Sequence, residues 1–416
     1  MKISVIGAGY VGLTIATCLA KLGNEIVLID IDEEKLEAIR NNRISPIYEE
    51  GLDELLNQVH IEVSSDYQKI LPSDTIFICV GTPSEESGSI FQEHITETTK
   101  QIAEILKTKQ DYCVVAVKST VAPGTTEELV IPILETSGRK AGDDFGICMC
   151  PEFLREGKAI NDFMNPARVI IGEYDGKSGD MIYSLYQSFN APTLRTSLRT
   201  AEMIKLASNA FLATKISFIN EVGNICKQLG IDTYEIAKGM GFDDRIGCKF
   251  LNPGIGFGGS CLPKDLKMLI ARAREIGYEP TILQGVLNFN DEQALKFVGL
   301  LKKHVPLKNA VIGLLGLAFK PETDDVRDSR AIGIVEVLLR EGAVVKAYDP
   351  LAAKNFSQLF PQIDYVTKEE VLNSDAILIV TEWEEFNNLN YKGKIVIDGR
   401  RVATAREARI YEGVCW

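Results

Sequence analysis

The segment "KISVIGAGYVGLTIATCLAKLGNEIVLIDID" (2–32) constrains the fold more than any other. It reads as an apolar strand, a glycine turn, an amphipathic helix and a second apolar strand. Gly7, Gly9 and Gly12 form G-x-G-x-x-G between strand and helix, with Tyr10 and Val11 inside the turn and Asp30 ending the second strand. Glycines let the backbone approach a pyrophosphate, the helix N-terminus holds its charge, and an acidic residue accepts a ribose hydroxyl. Asp32, Glu33 and Glu34 follow directly and would repel a 2′-phosphate, so NAD is expected rather than NADP.

The same plan returns near the C-terminus. "KNAVIGLLGLAF" is a strand and glycine turn, "SRAIGIVEVLLREG" a helix, and "AVVKAYDP" a strand ending in Asp349. "SDAILIVTEW" (374–383) then echoes "SDTIFICVGTP" (73–83). Extra residues, "KPETDDVRDS", interrupt the second glycine turn, so a similar sheet with a different ligand is expected there. Lys320 and Arg327 face acidic residues in that loop, either as a site or as a solvated charged surface. Between the halves, "LRTAEMIKLASNAFLATKISFINEVGNICKQLG" (198–230) has the length of a helix of roughly 45 Å, with Lys205 and Asn209 one turn apart on one face. "IDTYEIAKGMG" follows as a short helix capped by Asp232 or Thr233.

A chain of 416 residues exceeds what one core usually supports. The expected architecture is α/β: two Rossmann-like doubly wound domains joined by a long central helix and a helical dimerisation region. The expected boundaries are 1–197, 198–300 and 301–416.

Composition narrows the chemistry. The nine cysteines include no C-x-x-C pair, and Cys148/Cys150 in "ICMC" alternate as one face of a strand does. The three histidines (60, 94, 304) stand beside no other candidate catalytic group, so no metal site is expected. A formal charge of -13 argues against nucleic acid as a partner. No apolar run is long enough to span a membrane, and "MKISVIGAGYVG" lacks a basic-then-apolar leader, which points to the cytoplasm.

Candidate chemistry lies where ligands of a doubly wound sheet lie, past the carboxyl ends of strands. Thr82 and Thr120 follow two such strands, as turn formers or as ligand neighbours. "CPEFLREGKAINDF" (150–163) follows a third, and its Glu152, Arg155 and Glu156 either cap the next helix or face the reacting carbon. The segment "GFGGSCLPKD" (256–265) sets Cys261 among glycines, with Lys264 and Asp265 just beyond. A lone cysteine is most often core filler. Here Gly256, Gly258 and Gly259 permit close backbone approach to a ligand, a nearby lysine can hold a thiolate, and Asp265 can handle a proton. A thiolate beside NAD has a definite use: it adds to an aldehyde, allowing a second hydride to leave and giving a thioester that water cleaves.

"VIGAGYVGL", "VGTP", "KSTVAPGTT", "PEFLREG", "KLASNAFLATKISFINE", "NPGIGFGGSCLPKD" and "GLAFKPETDDVRDS" occur in that order over nearly the whole chain. In these motifs the chain resembles the UDP-glucose/GDP-mannose dehydrogenase family. The resemblance implies a four-electron oxidation of a nucleotide sugar at C6, using NAD twice. It implies Cys261 as nucleophile, Lys205 and Asn209 as oxyanion partners, and Asp265 as a proton handler, with Thr120 and Glu152 ordering water. It places Lys35, Thr82, Thr120, Glu156, Lys264 and Arg327 at the cofactor. For the nucleotide sugar it implies Glu152, Phe153 and Leu154, with Lys205, Asn209 and Cys261. It adds Phe250, Leu251, Asn252 and Gly258 in the binding loop, then Phe319 and Lys320. Arg245 matches an arginine that reaches the substrate of a neighbouring subunit, so a homodimer is implied. Cys150 departs from the asparagine or serine expected before "PEF".

"TEW" (381–383) and "FLNPGIGFGG" look more like the UDP-glucose branch, while "SCLPKD" is shared with the GDP-mannose branch. A dehydrogenase stopping at the aldehyde and a non-catalytic sensor of NAD and nucleotide sugar are the other readings.

Overall fold

The runs TIFI (75–78), VVAV (114–117) and AILI (376–379) are buried at every position, as strands covered by helices on both faces must be. The structure is a computed structural model and describes residues 1–85 and 88–416. It divides into two units, Met1–Ser208 and Asn209–Trp416, and the division falls inside one continuous helix, Leu198–Leu229.

The first unit is built on β1 (Lys2–Ile6), β2 (Glu25–Ile29), β3 (Ile61–Ser64), β4 (Thr75–Ile78), β5 (Val114–Val117), β6 (Gly146–Met149), β7 (Val169–Glu173) and β8 (Thr193–Thr196). Their spatial order is β3-β2-β1-β4-β5-β6-β7-β8, and of these pairings only β6 with β7 is antiparallel. The second unit is built on β9 (Val311–Leu315), β10 (Val344–Tyr348), β11 (Asp364–Tyr365), β12 (Ala376–Ile379), β13 (Ile395–Asp398) and β14 (Ile410–Gly413). Their order is β11-β10-β9-β12-β13-β14, all parallel. Both sheets therefore reverse direction of growth beside their first strand, and such a switch point opens a crevice at the strands' carboxyl ends.

The echo between the halves is physical. The "SD" before β4 and β12 performs one task twice: Asp74 accepts from Lys2 N at 2.8 Å, and Asp375 accepts from Val311 N at 2.8 Å. Each carboxylate pins the start of its sheet's first strand. Cys148 and Cys150, read as one face of a strand, both join the buried core of the first unit. Asp232 caps the Thr233–Gly241 helix by accepting from Tyr234 N at 2.9 Å.

The two glycine turns differ in what fills them. In the second, Asp349 is buried and accepts from Leu317, Ala318, Leu351 and Ala352 amides and from the Trp383 indole, at 2.7 to 3.1 Å. The side chain that would hold a ribose is consumed by its own loops. A Cβ on Gly316 would lie 2.4 Å from Thr381 Cβ, so this turn is packed shut by protein. The repeated sheet with a different ligand, expected from the interrupted fingerprint, has this physical basis. Asp349→Ala should lower the unfolding free energy by about 3 kcal/mol, since several charge-assisted bonds go unmade. Urea denaturation checks this, and an unchanged midpoint would show that the carboxylate does not hold the turn.

Candidate active site

In the first unit the glycine turn has the shape a dinucleotide needs. A Cβ on Gly12 would fall 1.8 Å from Gly7 O, and one on Gly7 would fall 2.6 Å from Cys79 O. Those two glycines close the turn against the helix and the neighbouring strand. Nothing lies within 4 Å of a Cβ built on Gly9, so that face is open to an incoming phosphate. The helix Tyr10–Lys21 begins here with no side-chain cap, leaving its first amides, at Tyr10 and Val11, to an anion. Asp30 remains partly exposed and accepts from Ala8 N at 2.5 Å and Asp32 N at 3.0 Å, which places its carboxylate at the rim of the turn. Unlike Asp349, it keeps an open side. Lys35 pairs with Asp32 at 3.1 Å on the next helix. These residues fit NAD.

The carboxyl ends of β4, β5 and β6 bring the next candidates together. Thr82 Oγ1 donates to Thr120 O at 3.0 Å, so the two threonines form one crossing between neighbouring loops. Past β6, Glu152 is buried and accepts from Lys205 Nζ at 2.8 Å and from Leu154 N at 2.6 Å. Burial alone would raise the Glu152 pKa; the Lys205 charge and hydrogen bond, the Leu154 amide and the Lys118 charge outweigh it and hold the carboxyl below its ordinary value. Phe153 lies under the Arg168 guanidinium at 3.7 Å, with Lys205 Nζ 5.5 Å from its ring centre. Arg155 turns away from this group, its guanidinium bound to Asp162 at 2.6 and 2.8 Å, while Glu156 is half-buried in the same loop.

One functional carboxylate was missed by sequence reasoning. Glu202, one turn before Lys205, is fully buried and accepts from Gly124 N, Thr126 N and Thr126 Oγ1 at 2.6 to 2.8 Å. It fixes the loop that carries Thr120. Its partners are chiefly backbone amides far along the chain, which no motif announces.

In the second unit Cys261 is half-buried and occupies the N-cap of the helix Leu262–Glu275. Aligned helix amides favour negative charge at that end, on sulfur or on an attached oxygen. Ser260 Oγ lies 3.5 Å from Cys261 Sγ. Asp265 is buried, receives the Asn209 amide at 2.6 Å, and faces Lys264 Nζ at 2.8 Å as an ion pair. Asn209, Lys264 and Asp265 therefore form one polar group at the foot of the cysteine helix.

The glycines before Cys261 prove to accommodate the protein itself. A Cβ on Gly258 would meet Asp328 O at 2.3 Å, and one on Gly259 would meet the Phe319 ring at 2.6 Å. The cysteine strap and the 319–328 loop are thus packed together, with Gly259 N bound to Arg327 O at 3.0 Å. The expected room for a ligand beside these glycines is occupied on that side. Arg327 chelates Asp325, and Lys320 Nζ stands 5.9 Å from the Phe319 ring centre.

Ahead of the strap lies a cavity of about 270 Å³ lined by Ile216, Phe250, Asn252, Gly254, Gly256 and Arg400. Leu251 is buried behind it. Phe250 adopts φ 64°, a left-handed conformation costly for an aromatic residue. Arg400 was also missed; Asp398 holds its loop by accepting the Arg400, Arg401 and Val402 amides at 2.8 to 2.9 Å. Burial raises the Asp398 pKa to about 6 against those amides and the Tyr411 hydroxyl. Arg245 lies on the surface, bound only to its neighbour Asp243 among the contacts described, at 2.6 to 3.1 Å. Among the described residues, no three His, Cys, Asp or Glu side chains are grouped to hold a metal ion.

Comparison with known proteins covers the chain almost end to end. Residues 1–190 match the NAD binding domain of the UDP-glucose/GDP-mannose dehydrogenase family, 199–292 its central domain and 313–405 its UDP binding domain. The chain is 42% identical to the UDP-glucose 6-dehydrogenase AglM of Haloferax volcanii, with all of both chains covered. It is 37% identical to the GDP-mannose 6-dehydrogenase of Pseudomonas syringae pv. syringae, again over all of both. The solved structure of a UDP-glucose dehydrogenase from Pyrobaculum islandicum has a TM-score of 0.97 at 39% identity, covering 100% of this chain and 98% of that one.

The Glu152–Lys205 pair gives a pH test. The folded carboxyl is held below its ordinary value, so the pair contributes stability above the unfolded pKa of about 4 and loses it as pH falls through the lower folded value. Lys205→Met should destabilise the fold by about 3–5 kcal/mol at neutral pH and abolish this acid-side loss, because burial then raises the unpaired Glu152 carboxyl and its protonation relieves the fold as pH falls. Unfolding curves across the acid range check it; an unmoved acid limb would show that Glu152 does not depend on Lys205.

Proposed function

The chain belongs to the UDP-glucose/GDP-mannose dehydrogenase family and is an NAD-dependent nucleotide-sugar dehydrogenase, and we propose that it oxidises UDP-glucose at C6 to UDP-glucuronate. The observation that carries the reading is Cys261 at a helix N-terminus, in a chain whose other unit has an intact dinucleotide turn. NAD, when bound, is the hydride acceptor in both oxidations.

In the proposed mechanism Cys261 Sγ adds to the C6 aldehyde produced by the first oxidation. A C–S bond forms and the carbonyl oxygen becomes the oxygen of a tetrahedral adduct. Lys205 and Asn209 stabilise charge on that oxygen. The second oxidation leaves the carbon as a thioester. Water ordered by Thr120 and Glu152 then breaks the C–S bond, and Asp265 manages the proton that returns to sulfur. The Asn209–Asp265–Lys264 group and the Glu152–Lys205 pair support these roles, since their hydrogen bonds and ion pairs hold each member in one orientation.

The remaining roles follow the family pattern. Gly7, Gly9, Tyr10, Val11, Gly12, Asp30, Lys35, Thr82, Thr120 and Glu156 hold the cofactor in segment 1–197, with Lys264 and Arg327. The segments 198–300 and 301–416 supply the cysteine strap and the nucleotide-sugar contacts, where Phe250 to Asn252, Gly258, Phe319 and Lys320 join Phe153 and Leu154. The cavity at Phe250 and Asn252 adds Arg400 to this set. All nine cysteines are free, which fits a reducing cytoplasm, and no helix among the described residues is long and apolar enough to cross a membrane.

The protein is proposed to act as a homodimer. Phe211, Phe218, Ile225 and Leu229 recur along one face of the long helix and are 65%, 48%, 57% and 68% exposed, a stripe that a second copy of the same helix would cover. The exposed Arg245 would then reach the partner's substrate.

Two experiments test these proposals. With UDP-glucose the enzyme should form two NADH per sugar consumed, and Cys261→Ser should lose most of that turnover or stop after one. Full two-NADH turnover by the variant would remove the covalent mechanism, and preference for GDP-mannose in a panel of nucleotide sugars would change the substrate. Separately, Phe211→Glu with Phe218→Glu should convert a dimer into a monomer by light scattering. A monomeric parent, or a variant of unchanged mass, would exclude this interface.

A further inference from the structure

Glu49 belongs to no motif used above, yet it is buried and joins two segments of the first unit that the reaction needs together. Its Oε2 accepts from the Tyr10 hydroxyl and from Gly157 N, the latter at 2.7 Å, and its Oε1 accepts from Ala159 N at 2.6 Å. Gly157 N is shared with Tyr10 Oη at 2.9 Å, and that hydroxyl also lies 3.3 Å from Arg155 O. Tyr10 opens the helix whose first amides face the cofactor's phosphates. Gly157 ends the loop that begins at Glu152. Burial, reinforced by Glu49, pushes the Tyr10 phenol far above its ordinary pKa, so it stays a donor to the carboxylate.

The far side of this loop is fixed as well. Arg155 N and its guanidinium are held by Asp162, and Leu154 N by Glu152, which is itself held by Lys205. A continuous path of charge-assisted hydrogen bonds and short backbone steps therefore runs from the cofactor turn, through Tyr10, Glu49 and Gly157, to Glu152. Every carboxylate on it faces more than one donor, so moving one end misaligns bonds along the whole path.

We propose that Glu49 is a positioning residue that couples cofactor binding at the glycine turn to nucleotide-sugar binding at residues 152–157. This rests on the reading of Glu152, Phe153 and Leu154 as sugar contacts. Phosphate held at the start of the Tyr10 helix fixes Tyr10; Tyr10 and Glu49 fix Gly157; and the loop presents its sugar-facing side already ordered. The sugar then loses less freedom on binding, so each ligand strengthens the other by the same factor.

The test uses NADH and UDP-glucose, a pair that cannot react because NADH accepts no hydride. Calorimetric titration gives the UDP-glucose affinity with and without saturating NADH, in the parent enzyme, Glu49→Gln and Tyr10→Phe. The parent should show about a fivefold or larger gain, matched in the reciprocal titration, and both variants should fall to about twofold or less. A lesion that merely loosened the fold would weaken both ligands and leave this ratio unchanged. Should Glu49→Gln fail to fold by circular dichroism, Tyr10→Phe carries the test, since it removes only one hydroxyl. A parent ratio of one, or variants that keep the parent's ratio, would overturn the inference. Absence of UDP-glucose binding to the parent would overturn the substrate reading itself, and this inference with it.

Discussion

A loop leaving the carboxyl end of a parallel strand exposes backbone amides with no ladder partner, and burying them requires an acceptor from elsewhere. This protein answers with carboxylates. Glu202 holds the loop past β5, Glu49 the loop past β6, Asp398 the loop past β13, and Asp349 both loops beside the second glycine turn. One carboxylate can accept from several amides at once, which makes it the most economical acceptor for a tight turn. The cost is desolvation, visible in the raised Asp398 and Glu202 pKa values, where burial is the largest influence. Among the catalytic candidates, Thr120 and Glu152 lie on loops fixed in this way, so their placement depends on Glu202 and Glu49.

This also explains where the sequence was legible. Strands such as VVAV, the G-x-G-x-x-G turn, the long helix and the Asp232 cap all announce themselves through side chains at fixed local spacing. So did the duplicated sheet, because "SD" before β4 and β12 is one device in one register. The family motifs supplied most candidate residues, including Cys261, Lys205 and Asn209. Glu49, Glu202 and the Asp398–Arg400 loop were not legible. Their partners are mainly amides that carry no side-chain identity and lie far away in the chain. Gly256, Gly258 and Gly259 were only partly legible for a related reason: a glycine shows that something comes close, and on the side where a Cβ would stand it is protein.

The two halves demonstrate how one sheet serves two purposes. Asp30 and Asp349 end equivalent strands, and both accept amides from the glycine turn opposite. Asp30 stays partly exposed beside the open face of Gly9, whereas Asp349 is buried under Trp383 and Thr381 closes on Gly316. The topology is retained while the dinucleotide-binding face of the glycine turn is erased by a longer loop and a single indole. Function follows from the filling of the crevice rather than from the strand order.

Phe250 holds a left-handed backbone beside the Arg400 cavity, and this conformation sets a limit on the stability of the fold. An aromatic residue held there costs about 1–3 kcal/mol of strain, which glycine or asparagine would relieve. A residue free of that strain at position 250 would return this energy to the folded state.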